Sequence, residues 1–250
     1  MITAVIPVSP IPSHPDTAIL DETIQSIRHF LPDIEILLTF DGVRSELEDR
    51  RADYEEHIRR VVWKAAHEWG NTVPFVYDWH KHQIGMMRAM IGEIRTPLLM
   101  YVEHDTPLLV DREIDFPMIT EFLVSDRSHL VRLYHEEVIP YEHLHLYHEA
   151  DGLNFIRTSQ WSQRPHVARV DYYKRIILGE ECFRPDANSF IEDKMHTWAE
   201  QAWRCRGFQG WFNEHRLHVY DPHGDGQAMR RSGHTDGRKD APKFEDSQIL

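Results

Sequence analysis

Cysteine is nearly missing from this chain: Cys182 and Cys205 are its two in 250 residues. That excludes a disulfide framework, and their spacing is not that of a zinc knuckle. A reducing, cytoplasmic setting fits. Positive charge is also short, with 28 Lys and Arg against 41 Asp and Glu and a net charge of −13. A polyphosphate partner would meet net repulsion, so nucleic acid is disfavoured. No apolar run approaches the ~20 residues that a membrane span requires. The opening MITAVIPVSP has neither the basic nor the long apolar region of a secretory leader and reads as a first strand. Nothing in the sequence fixes an oligomeric state.

What is present is an alternation of strand and helix patterns. The β-branched run TAVIPV at 3–8 is stopped by the proline-rich SPIPSHP. Leu20, Ile24, Ile27 and Leu31 then recur on one helical stripe ending before Pro32. IEILLTF at 34–40 ends in Asp41-Gly42 and predicts a second strand. A second helical stripe, Leu47, Tyr54, Ile58, Val61, Ala65 and Trp69, closes on Gly70-Asn71 as a C-cap. A short strand near PFVYDW, a helix through Ile84, Met87, Ile91 and Ile94, and the apolar run PLLMYV at 97–102 complete this half.

Strands apolar on both faces and separated by amphipathic helices predict an α/β fold, its sheet largely parallel and covered by helices on both sides. Further on, Leu-Tyr-His-Glu occurs at 133–136 and again at 146–149 around Pro140, which fits a hairpin or a mixed-sheet addition. DYYKRIIL reads as helical, and Met195, Trp198, Ala202 and Cys205 mark a last long helix. From about Asp221 the chain has no periodicity and reads as a loop, ordered only if something docks on it.

In open α/β sheets ligands sit at the carboxyl ends of the strands. Those ends are polar and acidic here: Pro7-Val8-Ser9, Asp41-Gly42, Asp78 and Glu103-His104-Asp105. If strand geometry continues past residue 102, Glu103 and Asp105 lie two apart on one side. Such a carboxylate pair is a hard oxygen site suited to Mg²⁺ or Mn²⁺, with water and phosphate oxygens filling the other positions. The histidines also admit a zinc reading, with His143 and His145 sharing a strand face opposite His135 or His148.

The order TAVIPV, LLTFDG, a glycine-containing helix start and MYVEHD resembles the nucleotide-sugar half of family 2 glycosyltransferases of the GT-A type. The resemblance implies a Rossmann-like mixed sheet with an acceptor-side C-terminal elaboration. Residues 1–110 would be the nucleotide-sugar half, 111–220 the acceptor half of the same domain, and 221–250 a C-terminal loop or tail. It places Pro7, Val8, Ser9 and Asp41 against the nucleoside, and Glu103-His104-Asp105 at the DxD position that holds the metal and the diphosphate. Of the family's Asn-x-Gly-x-x-x-Ala-Arg-Asn pattern only Gly85 and Ala89 remain, with Met90 and Ile91 at the Arg and Asn positions, so Arg88 or Lys81 would supply the missing cation. Phe190-Ile191-Glu192-Asp193 resembles the family's acidic pair at a helix start, one of which is the general base. Ser189-x-x-Glu192 also spells a capping box that would occupy Glu192 with the helix backbone, leaving Asp193 as the freer base. Arg230, Arg231 and Arg238 would close as a lid over the diphosphate, with His234 completing the metal shell.

The implied activity is metal-dependent, inverting transfer of a sugar from a nucleotide-diphosphate sugar to a hydroxyl on a glycan, protein or small molecule. The alternatives are a nucleotidyltransferase acting on a sugar phosphate and a non-catalytic nucleotide- or sugar-binding module. The first normally needs a glycine-rich phosphate loop after strand one, and SPIPSHPDT contains no glycine.

Overall fold

The computed structural model describes residues 1–150, 154–179, 190–224 and 228–235. β1 (Ile2–Val8), β2 (Glu35–Phe40), β3 (Thr72–Val76) and β4 (Leu98–Tyr101) are the runs that the β-branched and apolar stretches predict. They pair in parallel in the order β3-β2-β1-β4, with Val5 of β1 opposite Leu37 on one side and Tyr101 on the other. β1 is thus flanked by strands reached in opposite directions, and this switch point opens a crevice at the strand C-termini.

Alternation along the strands sorts their side chains to the two faces of the sheet. Ile6, Leu38 and Met100 pack with Leu20, Ile24 and Ile27 of α1 (Ala18–Phe30), Tyr54 and Val61 of α2 (Arg51–His67), and Ile119 of α4 (Phe116–Val124). Val5, Leu37, Leu99 and Tyr101 pack on the other face with Ile84, Met87 and Met90 of α3 (His82–Met90). Met195, Ala199 and Trp211 of the long helix α6 (Ile191–His215) join that second core. Because both faces are covered, these strands can be apolar throughout.

The remaining five strands make the sheet mixed. β5 (Leu130–Arg132) lies between β8 (His166–Arg169), antiparallel, and β9 (Leu217–Tyr220), parallel. β6 (Tyr147–Ala150) pairs antiparallel with β7 (Phe155–Thr158) at the far edge, giving the order β4-β8-β5-β9-β7-β6. The mixed-sheet addition is therefore found and the hairpin around Pro140 is not. The first Leu-Tyr-His-Glu copy follows the end of β5 as irregular chain and the second runs into β6, which lies beyond β9 and β7, because Pro140 leads into a tight 3₁₀ turn, Tyr141–Leu146, that carries the chain away from β5. That turn also removes the shared strand face on which the zinc reading of His143 and His145 depended. DYYKRIIL is helical, α5 (Val170–Tyr172) running into a wider turn over Tyr173–Ile177.

The segment 228–235 is docked on the loop after β4. Ser232 bridges Leu108, and the Gly233 and Thr235 amides donate to the carbonyls of Pro107 and Asp105 at 2.8 and 2.7 Å. No described helix is long and apolar enough to cross a membrane.

Candidate active site

At the switch point a cleft of about 230 Å³ is lined by Pro7, Val8 and Ser9 from the end of β1, Asp41 after β2, His80, His82 and Gln83 before and within α3, and Glu103, His104 and Asp105 after β4. Arg44, Met86 and Phe190 close its sides. Each polar lining residue follows directly from the topology, since the parallel strands all end at this edge. A second, larger cleft of about 1080 Å³ adjoins the first at Glu103 and carries Glu192, Asp193, His196 and His234 with Arg132 and Arg164.

Glu103 and Asp105 reach the same cleft by a different geometry from continued strand. β4 ends at Tyr101, and Glu103 opens a turn in which the Thr106 amide and hydroxyl donate to its carbonyl at 3.1 and 3.0 Å. Burial and the neighbouring Asp105 charge push the Glu103 carboxyl up to about 7. Gln83 Nε2 donates to it at 2.8 Å. Burial also works to raise Asp105, but His104 and His234 outweigh it and hold that carboxyl below its usual range. His234 Nε2 stands 3.4 Å from Asp105 Oδ2, and that contact raises the imidazole pKa. His104 is buried, with its Nδ1 3.3 Å from the Pro7 carbonyl and its Nε2 unpartnered.

Asp41 lines the cleft but its oxygens are engaged by the protein. Oδ1 accepts from the Gly42 and Lys81 amides at 2.9 and 2.6 Å, and Oδ2 from the His82 amide at 2.9 Å with His80 Nδ1 also at 2.9 Å. The carboxylate therefore pins the turn that presents His80, His82 and Gln83. Within that turn His82 has φ of +60°, a conformation that costs energy in a non-glycine residue and recurs at functional sites. Gly42 is obligatory here: a Cβ would lie 2.2 Å from the Trp79 carbonyl carbon.

Glu192 and Asp193 stand in the first turn of α6 on the second cleft. The capping-box reading is corrected in one respect. Phe190 is the N-cap, Ser189 lies outside the described residues, and Glu192 Oε1 accepts from the Gln163 amide at 3.2 Å, tying α6 to the 159–165 loop. Asp193 is exposed to the cleft.

Of the basic residues expected around the diphosphate, Arg231 is corrected. It is 2% exposed, and its guanidinium donates to the carbonyls of Glu113, Ala228 and Arg230 at 2.7–2.9 Å, so it anchors the docked segment from behind. Arg230 is half-buried beside it; burial lowers the nearby His135 imidazole to about 3, with Arg164, Arg132 and then Arg230 adding to the effect. Gly85 and Arg88 sit on α3 away from the residues lining either cleft. Arg238 lies outside the described residues. Sequence reasoning passed over Gln83, Arg44, Arg132 and Arg164. No motif distinguishes them, and only the strand ends on which they converge reveal them.

Mg²⁺ and Mn²⁺ take one or two protein carboxylates and fill the remaining positions from water and substrate phosphates. Two half-buried carboxylates, with His234 in contact and the charges of His104 and Arg164 acting on them, suit that role. Among the described residues no group of three or more His, Cys, Asp and Glu is arranged to hold a metal ion.

No protein-family model matches the chain, and no curated protein matches it. Solved structures do. TarS 1–349 of S. aureus in complex with UDP-GlcNAc aligns with TM-score 0.56 and 11% identity over 100% of this chain and 61% of that one. GalNAc-T7 with UDP, GalNAc and Mn²⁺ gives TM-score 0.56 and 13% identity over 96% of this chain and 44% of that one. The mannosyltransferase PcManGT from Pyrobaculum calidifontis, in complex with GDP-Man and Mn²⁺, gives 0.51 and 9% over 88% and 54%. The chain thus spans less than two thirds of the length of each. What these likenesses establish is the architecture, a GT-A-like α/β fold.

Proposed function

We propose that the chain is a metal-dependent inverting glycosyltransferase, moving a sugar from a nucleotide-diphosphate sugar to an acceptor hydroxyl. The observation that carries this reading is the half-buried Glu103/Asp105 pair at the point where the two clefts meet. Residues 1–110 would hold the donor, 111–220 the acceptor, and the segment after 221 the far side of the cation site. The bound complexes of the structural neighbours, with UDP-GlcNAc, with UDP, GalNAc and Mn²⁺, and with GDP-Man and Mn²⁺, support a donor of this class.

In this reading Pro7, Val8, Ser9 and the Asp41-pinned turn bound the nucleoside, with Arg44 facing the same cleft. Glu103, Asp105 and His234 would hold Mn²⁺ or Mg²⁺, which when bound supplies Lewis-acid neutralisation of pyrophosphate charge. Gln83 fixes the Glu103 carboxylate and, through its Oε1, accepts from the Ile191 amide at 3.4 Å, coupling the donor site to the start of α6. Glu192 holds α6 against the opposite loop, leaving Asp193 to take the proton from the attacking hydroxyl. Entry of that hydroxyl from the second cleft, opposite the departing diphosphate, inverts the anomeric centre.

The test is thermal denaturation with UDP, GDP and their sugars, each with and without Mn²⁺. A ligand that binds the native state alone raises the melting temperature, by about 2.7 kcal/mol of stability at a hundredfold excess over Kd. A nucleotide shift that requires Mn²⁺ is expected. No shift with any nucleotide would remove the reading.

A further inference from the structure

The second cleft holds a charge that the reaction above does not use. Arg132 ends β5 with 2% of its surface exposed, yet it lines this cleft. Its Nη2 donates to the Tyr147 hydroxyl and, at 3.2 Å, to Gln160 Oε1, both neutral groups. Its buried Nε has no partner. No carboxylate forms an ion pair with it among the described residues.

A guanidinium stays protonated in proteins, and a charge taken out of water is costly unless an opposite charge meets it. Neutral acceptors satisfy two of its hydrogen bonds, and the rings of Tyr134 and Tyr147 stand 5.3 and 5.9 Å from its guanidinium carbon, but none of these carries an opposite formal charge. Arg164, half-buried on the same wall, also has neither an ion pair nor a side-chain hydrogen bond among the described residues, although its charge is felt at Glu103. The wall as a whole is not basic, since Glu136, Glu142, Glu192 and Asp193 share the cleft. The positive charge is therefore a local spot facing one group of a ligand, and a polyanion lying along the cleft would meet those carboxylates.

Its distance from the chemistry is set by the sheet. Arg132 and Tyr101 both pair with His166, from the two sides of β8. Two strand spacings, roughly 10 Å, thus separate Arg132 from the strand end that leads to Glu103.

We propose that the acceptor carries a carboxylate or phosphate that pairs with Arg132 and Arg164 while its hydroxyl faces Asp193. This rests on the glycosyltransferase reading and narrows its acceptor to an anionic, hydroxyl-bearing class. The planar fork of Arg132, with an unused Nε–H, suits two-pronged recognition of either anion.

The probes are methyl glucoside, methyl glucuronide and glucose 6-phosphate, titrated against the full chain by ligand-observed NMR. At least one anionic probe is expected to bind about tenfold or more tighter than the neutral one, a difference that salt reduces. The glucuronide and phosphate arms identify which anion fits. Arg132→Met should abolish the preference, and Arg164→Gln should weaken it. Arg164 is half-exposed and unpaired, so its variant carries the test even where Arg132→Met fails to fold. No preference among the probes, or a preference that survives both substitutions, overturns the proposal. The Mn²⁺-dependent nucleotide shift, measured on the same samples, keeps the two readings apart. Its presence without an anion preference sinks the acceptor class alone, and its absence beside an Arg132-dependent preference sinks the transferase reading alone.

Discussion

Asp193 and Gln83 both meet the start of α6, with separate duties: Asp193 for the acceptor's proton, and Gln83 for the Glu103 carboxylate that it holds. Asp193→Asn keeps the shape and the hydrogen-bonding capacity but not the base. Turnover, followed as nucleoside diphosphate release from the donor sugar, should fall by about 10²–10⁴, with the Mn²⁺-dependent nucleotide shift unchanged. Wild-type turnover in this variant would remove Asp193 from the mechanism. Gln83→Leu acts on binding instead. It strips Glu103 of its 2.8 Å donor and the Ile191 amide of its acceptor. Orienting partners of ligating carboxylates are typically worth about 10–100-fold in metal affinity, so the Mn²⁺ concentration giving half the nucleotide shift should rise by that order. An unchanged Mn²⁺ midpoint would mean that Glu103 needs no positioning. The sequence made Asp193, Glu103, Asp105 and His234 visible, because an acidic pair at a strand end or a helix start carries its chemistry in residue type. Gln83, Arg132 and Arg164 were illegible for the converse reason: a glutamine or an arginine acquires meaning only from what it faces, and each faces residues at least 15 positions away in the chain.

At the scale of elements, the donor cleft depends on the meeting of two turns, the one after β2 and the one before α3. Gly42 lets them touch. A Cβ there would sit 2.2 Å from Trp79 C and 2.4 Å from the His80 amide nitrogen, both backbone atoms that cannot swing aside. Gly42→Ala should therefore cost about 1–3 kcal/mol as an overpacking substitution and weaken nucleotide binding, since the displaced turn carries His80 and His82. Gly92→Ala meets nothing within 4 Å and is the control, expected to be neutral or slightly stabilising. Equal melting temperatures for the two variants would refute the close approach. The parallel half was readable because its strands are buried on both faces and its helices on one, so the apolar period changes at each boundary. The 133–149 region was not, since β5 and β6 are short and each takes its partners from strands formed later in the chain. A local repeat could not reveal that pairing.

For the molecule as a whole, burial of histidine couples stability to pH. Burial lowers His14 to about 2, His135 to about 3 and His57, His166 and His215 each to about 4. These rings stay neutral in the fold while their unfolded counterparts take up a proton near the ordinary value of about 6.5. With folded pKa values depressed, the unfolded state binds more protons below 6.5, so stability is complete above that pH and falls beneath it, by up to about 1.4 kcal/mol per ring per pH unit. Glu103 acts in the opposite sense. Held up to about 7, it keeps a proton in the fold that the unfolded chain has released, and it favours the fold as pH falls toward 4.5. Five rings against one carboxyl leave a net loss of about 5 kcal/mol between pH 7.5 and 5.5, roughly 15 °C in melting temperature for a chain of this size. His166→Gln should make that slope shallower by one ring's share, because it deletes a proton-binding site from the unfolded state. A melting temperature that is flat or rises over the same interval would show that these imidazoles are protonated in the fold, and the packing of His14 on His57 and of His166 on Tyr101 could not then be as close as their ring separations of 3.9 and 5.4 Å require.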